Sequence, residues 1–465
     1  MSESESSAPF NRSMHAFGAL MITLSALSPT IGVFVVGSDI LHQAGTAVFP
    51  CYVLAVLVGI AIANVYGELG TAYPDTGGEY TILGRVLNPA WGFAVLGINI
   101  LGFTIANALT GLGMAKYLGV LIPGIEPIPT AMTLVAIVTV MAMLNIRVNA
   151  WITGGFLACE LLGLVLIAWL GFTHVHRSFA DAALSMSMLG AHGQLVPATP
   201  AILGVAGVAA LYAFNGYGST VFLGEEIHEA SKRIARVVFW ALALGAVTEL
   251  LPMLAVLMGA PDLKTVIAAK DPIAAFALAT GGPVMAKIVS LAVAVAIFNC
   301  MIVVALLSGR QLYATARDGA WPGPVNRALS RIHPRFNSPW AATLVVGVIS
   351  GVSCLMPLSL IEIVVASGVA ALYGALCIGA IWGRRNGSTA HAGYRMPLGL
   401  FFPVVGLIAL TGVVIATWFD PHNGRVGLLA TIVAIAFFVG YYLLFLRKSG
   451  WAHRGPPVND ATPAE

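Results

Sequence analysis

Three groups of residues in this chain bear on chemistry. The first is a carboxylate, Glu160, flanked by Cys159 and Leu161 in the middle of an apolar run over 150–171. At the centre of a bilayer such a group costs on the order of 3 kcal/mol on the insertion scale. It is kept as a proton carrier, as a counter-charge to a cation, or as a neutral, hydrogen-bonded packing group. Glu249 and Glu362 also stand in or beside apolar runs, where pairing with a polar neighbour or headgroup water is the simpler reading.

The second group is a pair of interruptions. In Ser28-Pro29-Thr30-Ile31-Gly32 the proline has no N–H, so the Ser25 carbonyl loses its helical partner, and Gly32 lets the backbone leave the helix cheaply. In Asn215-Gly216-Tyr217-Gly218 two glycines fall in one turn. Unwound backbone at membrane depth is tolerated only against protein or a water-filled cavity. Either break alone reads as a kink or a packing glycine. Two breaks at matching positions of two halves predict a solute site built from discontinuous helices.

The third group is aromatic and amide side chains near those breaks. Tyr212, Phe214 and Tyr217 are expected to cap a solute and stack on a cationic amine, a contact worth about 0.5–2 kcal/mol; core packing is the plainer alternative. Asn215, Asn107 and Asn299 either bond the solute or brace neighbouring helices.

The elements that must position these groups follow from composition. Of 465 residues 58% are hydrophobic and 9% charged, against about 25% charged in a soluble domain. Lipid is the natural solvent for such a chain. Apolar segments fall near 16–41, 45–71, 91–118, 130–145, 150–171, 199–223, 236–259, 284–308, 340–356, 360–382, 398–418 and 426–446. Each approaches the roughly 20 residues that cross a bilayer, which predicts an all-α membrane protein of about twelve transmembrane helices. Lys and Arg concentrate in loops on the side of the N-terminus (Arg85, Lys232, Arg233, Arg317, Arg384, Arg385) and thin out on the other (Arg177, Lys264, Lys270). That bias predicts cytoplasmic termini in the inner membrane. Residues 1–15 and 447–465 read as polar, disordered cytoplasmic tails around a single transmembrane domain over 16–446, and no basic signal-peptide region leads the chain. The cysteines (Cys51, Cys159, Cys300, Cys354, Cys377) all lie in apolar segments without metal-ligand spacing, so neither a metal nor a cofactor is expected. A His-Glu-x-x-His or Gly-x-Ser-x-Gly signature is missing, which argues against an intramembrane enzyme.

Several stretches resemble the amino acid–polyamine–organocation transporters. Tyr66–Tyr80, with Pro74-Asp75-Thr76-Gly77-Gly78-Glu79-Tyr80, is similar to their second-helix exit, and Asn88-Pro89-Ala90-Trp91-Gly92-Phe93 continues the pattern. Phe214–Tyr217 with Gly224-Glu225-Glu226, and Ser308–Gly319 with Arg310, Arg317 and Asp318, resemble their sixth and eighth helices. The resemblance spans nearly the whole chain. It implies a leucine-transporter-like 5+5 inverted repeat (about 16–171 and 199–382) plus two appended helices (398–446), broken first and sixth helices, and alternating access with proton coupling or exchange. By the same resemblance a substrate carboxylate sits on the N–H groups of Thr30, Ile31, Gly32 and Val33, and a substrate amine meets carbonyls near Ala26, Leu27, Ser28, Tyr212, Ala213 and Asn215. Tyr212 corresponds to the gating aromatic, and the fifth-helix Glu160 to a coupling position. Ser28-Pro29-Thr30 departs from the usual glycine-rich first break and is reminiscent of putrescine importers. Glu225, Glu226, Lys232 and Arg233 read either as a solvated loop or, with Arg317, as an inner gate. The expected activity is secondary active transport of a small amine-bearing solute, an amino acid before a polyamine, by a monomer or homodimer with protons as partner and no nucleic acid. A channel or solute sensor is the reading from a different class.

Overall fold

The computed structural model describes residues 14–122, 124–190, 192–419 and 424–454. The chain is helical nearly throughout. In order the helices are α1 (Ala16–Leu27), α2 (Ser38–Ala44), α3 (Val48–Ala72), α4 (Glu79–Val86), α5 (Pro89–Asn99), α6 (Ala106–Leu121), α7 (Pro127–Ala142), α8 (Ile146–Thr173) and α9 (Phe179–Ala183). After a short antiparallel hairpin, β1 (Ser187–Leu189) and β2 (Leu195–Pro197), come α10 (Pro200–Ala213), α11 (Ala230–Gly259), α12 (Leu263–Ala268), α13 (Pro272–Arg317) and α14 (Gly323–Leu329). The last four are α15 (Trp340–Ser353), α16 (Leu358–Asn386), α17 (Phe401–Trp418) and α18 (Gly424–Tyr441).

Helix covers every apolar segment read from the sequence. Among the described residues, eight helical stretches are long and apolar enough to cross a membrane, with α7 and α15 as shorter apolar helices. The bundle is apolar outside as well as inside. Trp151 is 81% exposed and Phe437 68%, which water would penalise and lipid does not.

Local sequence explains the irregular points. In the long α13, Gly282 adopts φ 77° just before Pro283, so the element is two helices meeting at a kink. Asn88 caps α5 by accepting from the N–H groups of Ala90 and Trp91, with Pro89 at the first helical position. π-Helical turns cover Ile31–Gly37 and Ile100–Thr104, a widened geometry frequent beside functional sites.

α1 packs on α8, α11 and α13, and α11 packs on α3 and α8. These contacts set α8, carrying Glu160, and α11, carrying Glu249, against each other and against α1, which leads into the first break.

Of the expected tails, 1–13 and 455–465 lie outside the described residues. The parts that are described are not loose. Met14 bonds in register with Ile227, its N–H donating to the Glu226 carbonyl at 3.0 Å. Trp451 donates its indole N–H to the Asp318 carbonyl at 2.8 Å, and the His453 ring lies 3.1 Å from the Asp318 carboxylate. Composition predicts a disordered tail from 451 onward. The aromatic and charged partners for Trp451 and His453 come from α4, α5 and the end of α13, which sequence distance hides.

Candidate solute site and gate

α1 stops at Leu27 because Ser28 turns into the left-handed region, φ 49°, and Pro29 cannot continue the hydrogen-bond ladder. The chain restarts at once as a helix, so the turn over Thr30 presents fresh N–H donors. Glu160 takes them. Its Oε1 accepts from the Thr30 N–H at 3.0 Å and from the Ser28 hydroxyl at 2.9 Å. The Gly32 N–H turns back to the Ser28 carbonyl at 3.2 Å. Glu160 is fully buried and its Oε2 has no partner among the described residues.

Gly32 marks the other flank of the break. A Cβ there would lie 2.5 Å from the Glu249 carboxyl carbon, so any larger residue must displace the Glu249 carboxyl group. Glu249 is fully buried and neither of its oxygens finds a partner among the described residues. Tyr52 closes this flank by donating to the Gly32 carbonyl at 2.5 Å. The Glu362 side chain lies outside the described residues.

The second break follows α10. Gly216 adopts φ 126°, and a Cβ there would meet the Leu27 Cα at 2.5 Å. The two interruptions, far apart in sequence, are therefore in backbone contact. Residues 217–223 then wind as a 3-10 helix.

A cavity opens where the breaks meet, lined by Ala26, Leu27 and Ile31 from the first and Tyr212, Ala213, Asn215, Gly216, Gly218 and Ser219 from the second. Its other walls include Tyr66, Glu79, Asn99, Phe103, Cys300 and Leu372. Asn215 accepts from the Tyr373 hydroxyl at 2.8 Å, which fixes its amide at the wall. Tyr212, the expected gating aromatic, is in the lining.

Other expected site residues are elsewhere. Ser28, Thr30, Gly32 and Val33 are outside this lining: Ser28 and Thr30 bond Glu160 of α8, and Gly32 lies against Glu249 of α11 and Tyr52 of α3. Phe214 packs edge-on to Tyr52, ring centroids 5.2 Å apart, and Tyr217 packs against Tyr66 and Tyr373 at 6.1 and 6.3 Å. Both rings are buried and outside the lining. Both follow lining residues, but the chain turns at 214–216 instead of continuing the helix, and the two rings are directed into the aromatic packing around Tyr52, Tyr66 and Tyr373. Asn107 also lies outside the lining; with its amide in the satisfying orientation it donates to the Met301 carbonyl at 3.2 Å and accepts from the Ala305 N–H at 3.3 Å. Asn299 donates to the Ser25 hydroxyl at 2.9 Å, bracing α13 against α1.

Sequence reasoning passed over Glu79. Among the described lining residues it is the one Asp, Glu, Lys, Arg or His, and it is 1% exposed. The Tyr66 hydroxyl donates to it at 2.8 Å and the Asn99 amide at 3.1 Å. Its place in a polar loop motif disguised it; only the fold packs α4 against α5 and α16 and brings Glu79 to Tyr66 of α3.

At the bundle face shared by Met14 and His453, charged side chains form a buried lattice. Arg317 donates to Glu225 at 2.6 Å and to Asp75 at 3.0 Å, and Arg85 donates to Asp75 at 3.1 Å. Arg310 grips Glu226 through two bonds of 2.5 and 3.2 Å. The Glu225 carboxylate also caps the Thr76 N–H at 3.0 Å. These groups are not a solvated loop. Lys232 and Arg233, grouped with them on sequence, instead pair with exposed Glu229. Burial pushes the Asp75 carboxyl up, but the guanidinium groups of Arg317 and Arg85 outweigh it and hold it below the usual carboxylate range. Burial raises Glu225 more than Arg317 lowers it, and the Asp75 charge adds to the rise. A second anchor was also unforeseen: Arg384 holds Glu68 at 2.6 Å, with Thr389 and the Met396 N–H on the same carboxylate.

Known proteins are similar to this chain in sequence over much of its length. The chain is 22% identical over 457 residues to a methylthioribose transporter of Bacillus subtilis, covering 94% of each chain. It is 23% identical over 410 residues to the serine/threonine exchanger SteT of the same organism, covering 83% of this chain and 88% of that one. It is 24% identical over 313 residues to the low-affinity putrescine importer PlaP of Escherichia coli, covering 64% and 65%. The amino acid permease family matches residues 15–441. The chain belongs to that family, and so is a multi-pass membrane transporter of the amino acid–polyamine–organocation kind rather than an enzyme.

Proposed function

We propose that this protein is a secondary active transporter that moves a small amine-bearing solute across the cytoplasmic membrane by alternating access. The observation that carries the reading is the backbone contact of Gly216 with Leu27, which joins two broken helices around one cavity. A single occluded site between discontinuous helices suits alternating access better than a pore. Twelve spans, with α1 to α8 and α10 to α16 as inverted halves and α17 and α18 appended, fit the helix order. In this reading the ion-paired face is cytoplasmic, and Arg317, Glu225, Asp75, Arg310 and Glu226 form the inner gate in its closed state. Glu160 couples transport to protons, since a lone buried carboxyl oxygen at the break links protonation to the position of the second half-helix.

Uptake into proteoliposomes tests this. Labelled amino acids, putrescine and ethanolamine are offered with and without an inward proton gradient. Gradient-dependent accumulation of an amine-bearing solute is expected. Flux that requires preloaded vesicles makes the protein an exchanger. A conductance without saturation, or no flux of any member, refutes the transporter reading for this substrate class.

A further inference from the structure

The chemistry of the cavity is lopsided. A fully enclosed carboxylate, Glu79, lines it, and no Lys, Arg or His does among the described residues. Tyr66 and Asn99 each donate to one of its oxygens, and both residues stand in the same lining. Ser219 adds a buried hydroxyl with no partner in the same wall. A carboxylate removed from water and held by two neutral donors keeps acceptor capacity for a cation.

An anionic group entering the cavity meets the opposite situation. The feature able to receive it is the N-terminus of the half-helix after the first break, where free N–H groups and the helix dipole favour negative charge. Part of that seat is taken from within: Glu160 occupies the Thr30 N–H and the Ser28 hydroxyl, and the Gly32 N–H is spent on the Ser28 carbonyl. A solute carboxylate would face Glu79 without a positive partner among the described lining residues, and would meet the Glu160 carboxylate on the Thr30 N–H. Uncompensated charge in a buried site is expensive.

The geometry points to a solute that carries an amine and no free carboxylate: Glu79 receives its ammonium group, and Glu160 stands where a carboxylate would otherwise bind. This rests on the transporter reading above and narrows its substrate class to decarboxylated amines such as diamines and amino alcohols. Glu79 is then a recognition residue of the cavity, and Tyr66 and Asn99 orient it.

Two ligand pairs that differ by a single carboxylate test it: putrescine against ornithine, and ethanolamine against serine. Each is titrated calorimetrically into the purified protein in detergent. In at least one pair the amine binds tighter than its amino acid by about tenfold or more, and Glu79→Gln weakens that amine by about tenfold or more, the loss expected when a charged hydrogen bond becomes neutral. Gel filtration and the melting curve of Glu79→Gln confirm its fold, and the wild-type comparison needs no variant. Equal or tighter binding of the amino acid member in both pairs overturns the inference, as does wild-type affinity in a folded Glu79→Gln. Gradient-driven accumulation of ornithine or serine overturns it while leaving the transporter reading intact. Absence of binding by all four, with no amine accumulated in vesicles, overturns both.

Discussion

Arg317, at the end of α13, bonds two carboxylates at once, Glu225 at 2.6 Å and Asp75 at 3.0 Å, from loops that follow different broken-bundle helices. One guanidinium thereby ties the exit of α3 to the exit of the second break. A rigid planar fork suits this double contact, which a lysine would not reproduce.

Removing that fork leaves two buried carboxylates facing each other. Arg317→Ala is expected to destabilise the closed face by about 3–5 kcal/mol. The readout is Cys300, which lines the cavity. In a variant keeping only that cysteine, an impermeant maleimide applied from the side of the chain ends should label it at least about tenfold faster in the Arg317→Ala background, as a shift of roughly 1.4 kcal/mol or more toward the open face requires. Unchanged labelling would make the lattice a static brace.

The same lattice predicts an acid dependence with a definite sign. Asp75 is held below the ordinary carboxylate range, so its contribution is fully present above that range and is lost as pH falls through its lowered value. The melting temperature in detergent should therefore drop on acidification below about pH 4, and Asp75→Asn should flatten that drop while starting from a lower melting temperature at pH 7. A parallel fall in both proteins would place the acid sensitivity elsewhere.

Gly216 has no room for a methyl group. Gly216→Ala puts a Cβ against the Leu27 Cα at 2.5 Å and forces φ 126° on a residue with a side chain. The conformational strain alone is about 1–3 kcal/mol, and the steric clash adds to it. A lowered melting temperature with loss of uptake is expected; normal uptake would show that the two breaks need not touch.

Glu160→Gln retains an acceptor for the Thr30 N–H and removes the titratable proton. Counterflow exchange between loaded vesicles should survive in this variant, while accumulation driven by a proton gradient should be lost. Gradient-driven uptake at the wild-type rate would remove Glu160 from coupling.

Much of the architecture was legible in the sequence because its causes are local. Pro29 and the 215–218 glycines interrupt helices wherever they lie, and the apolar runs are helical because lipid leaves the backbone no other partner. Glu160 was legible as well, since a carboxylate in an apolar run demands an explanation.

Facing was not legible. Sequence offered Phe214, Tyr217, Asn107 and Asn299 to the solute, and the structure turns them to Tyr52, Tyr66, Met301 and Ser25. These residues sit within a turn of true lining residues, and a break or a π-turn resets helix phase by an amount that composition does not encode. Glu79 shows the converse. In sequence it belongs to a polar loop; in space α4 packs on α5 and α16, its first residue bonds Tyr66 of α3, and that carboxylate lines the cavity. The sequence by itself determined that the chain is a membrane helical bundle with two interruptions, through backbone chemistry that acts within a few residues. Which side chains the interruptions share, and that the first is capped by Glu160, was decided only by tertiary packing, which brings together residues more than a hundred positions apart.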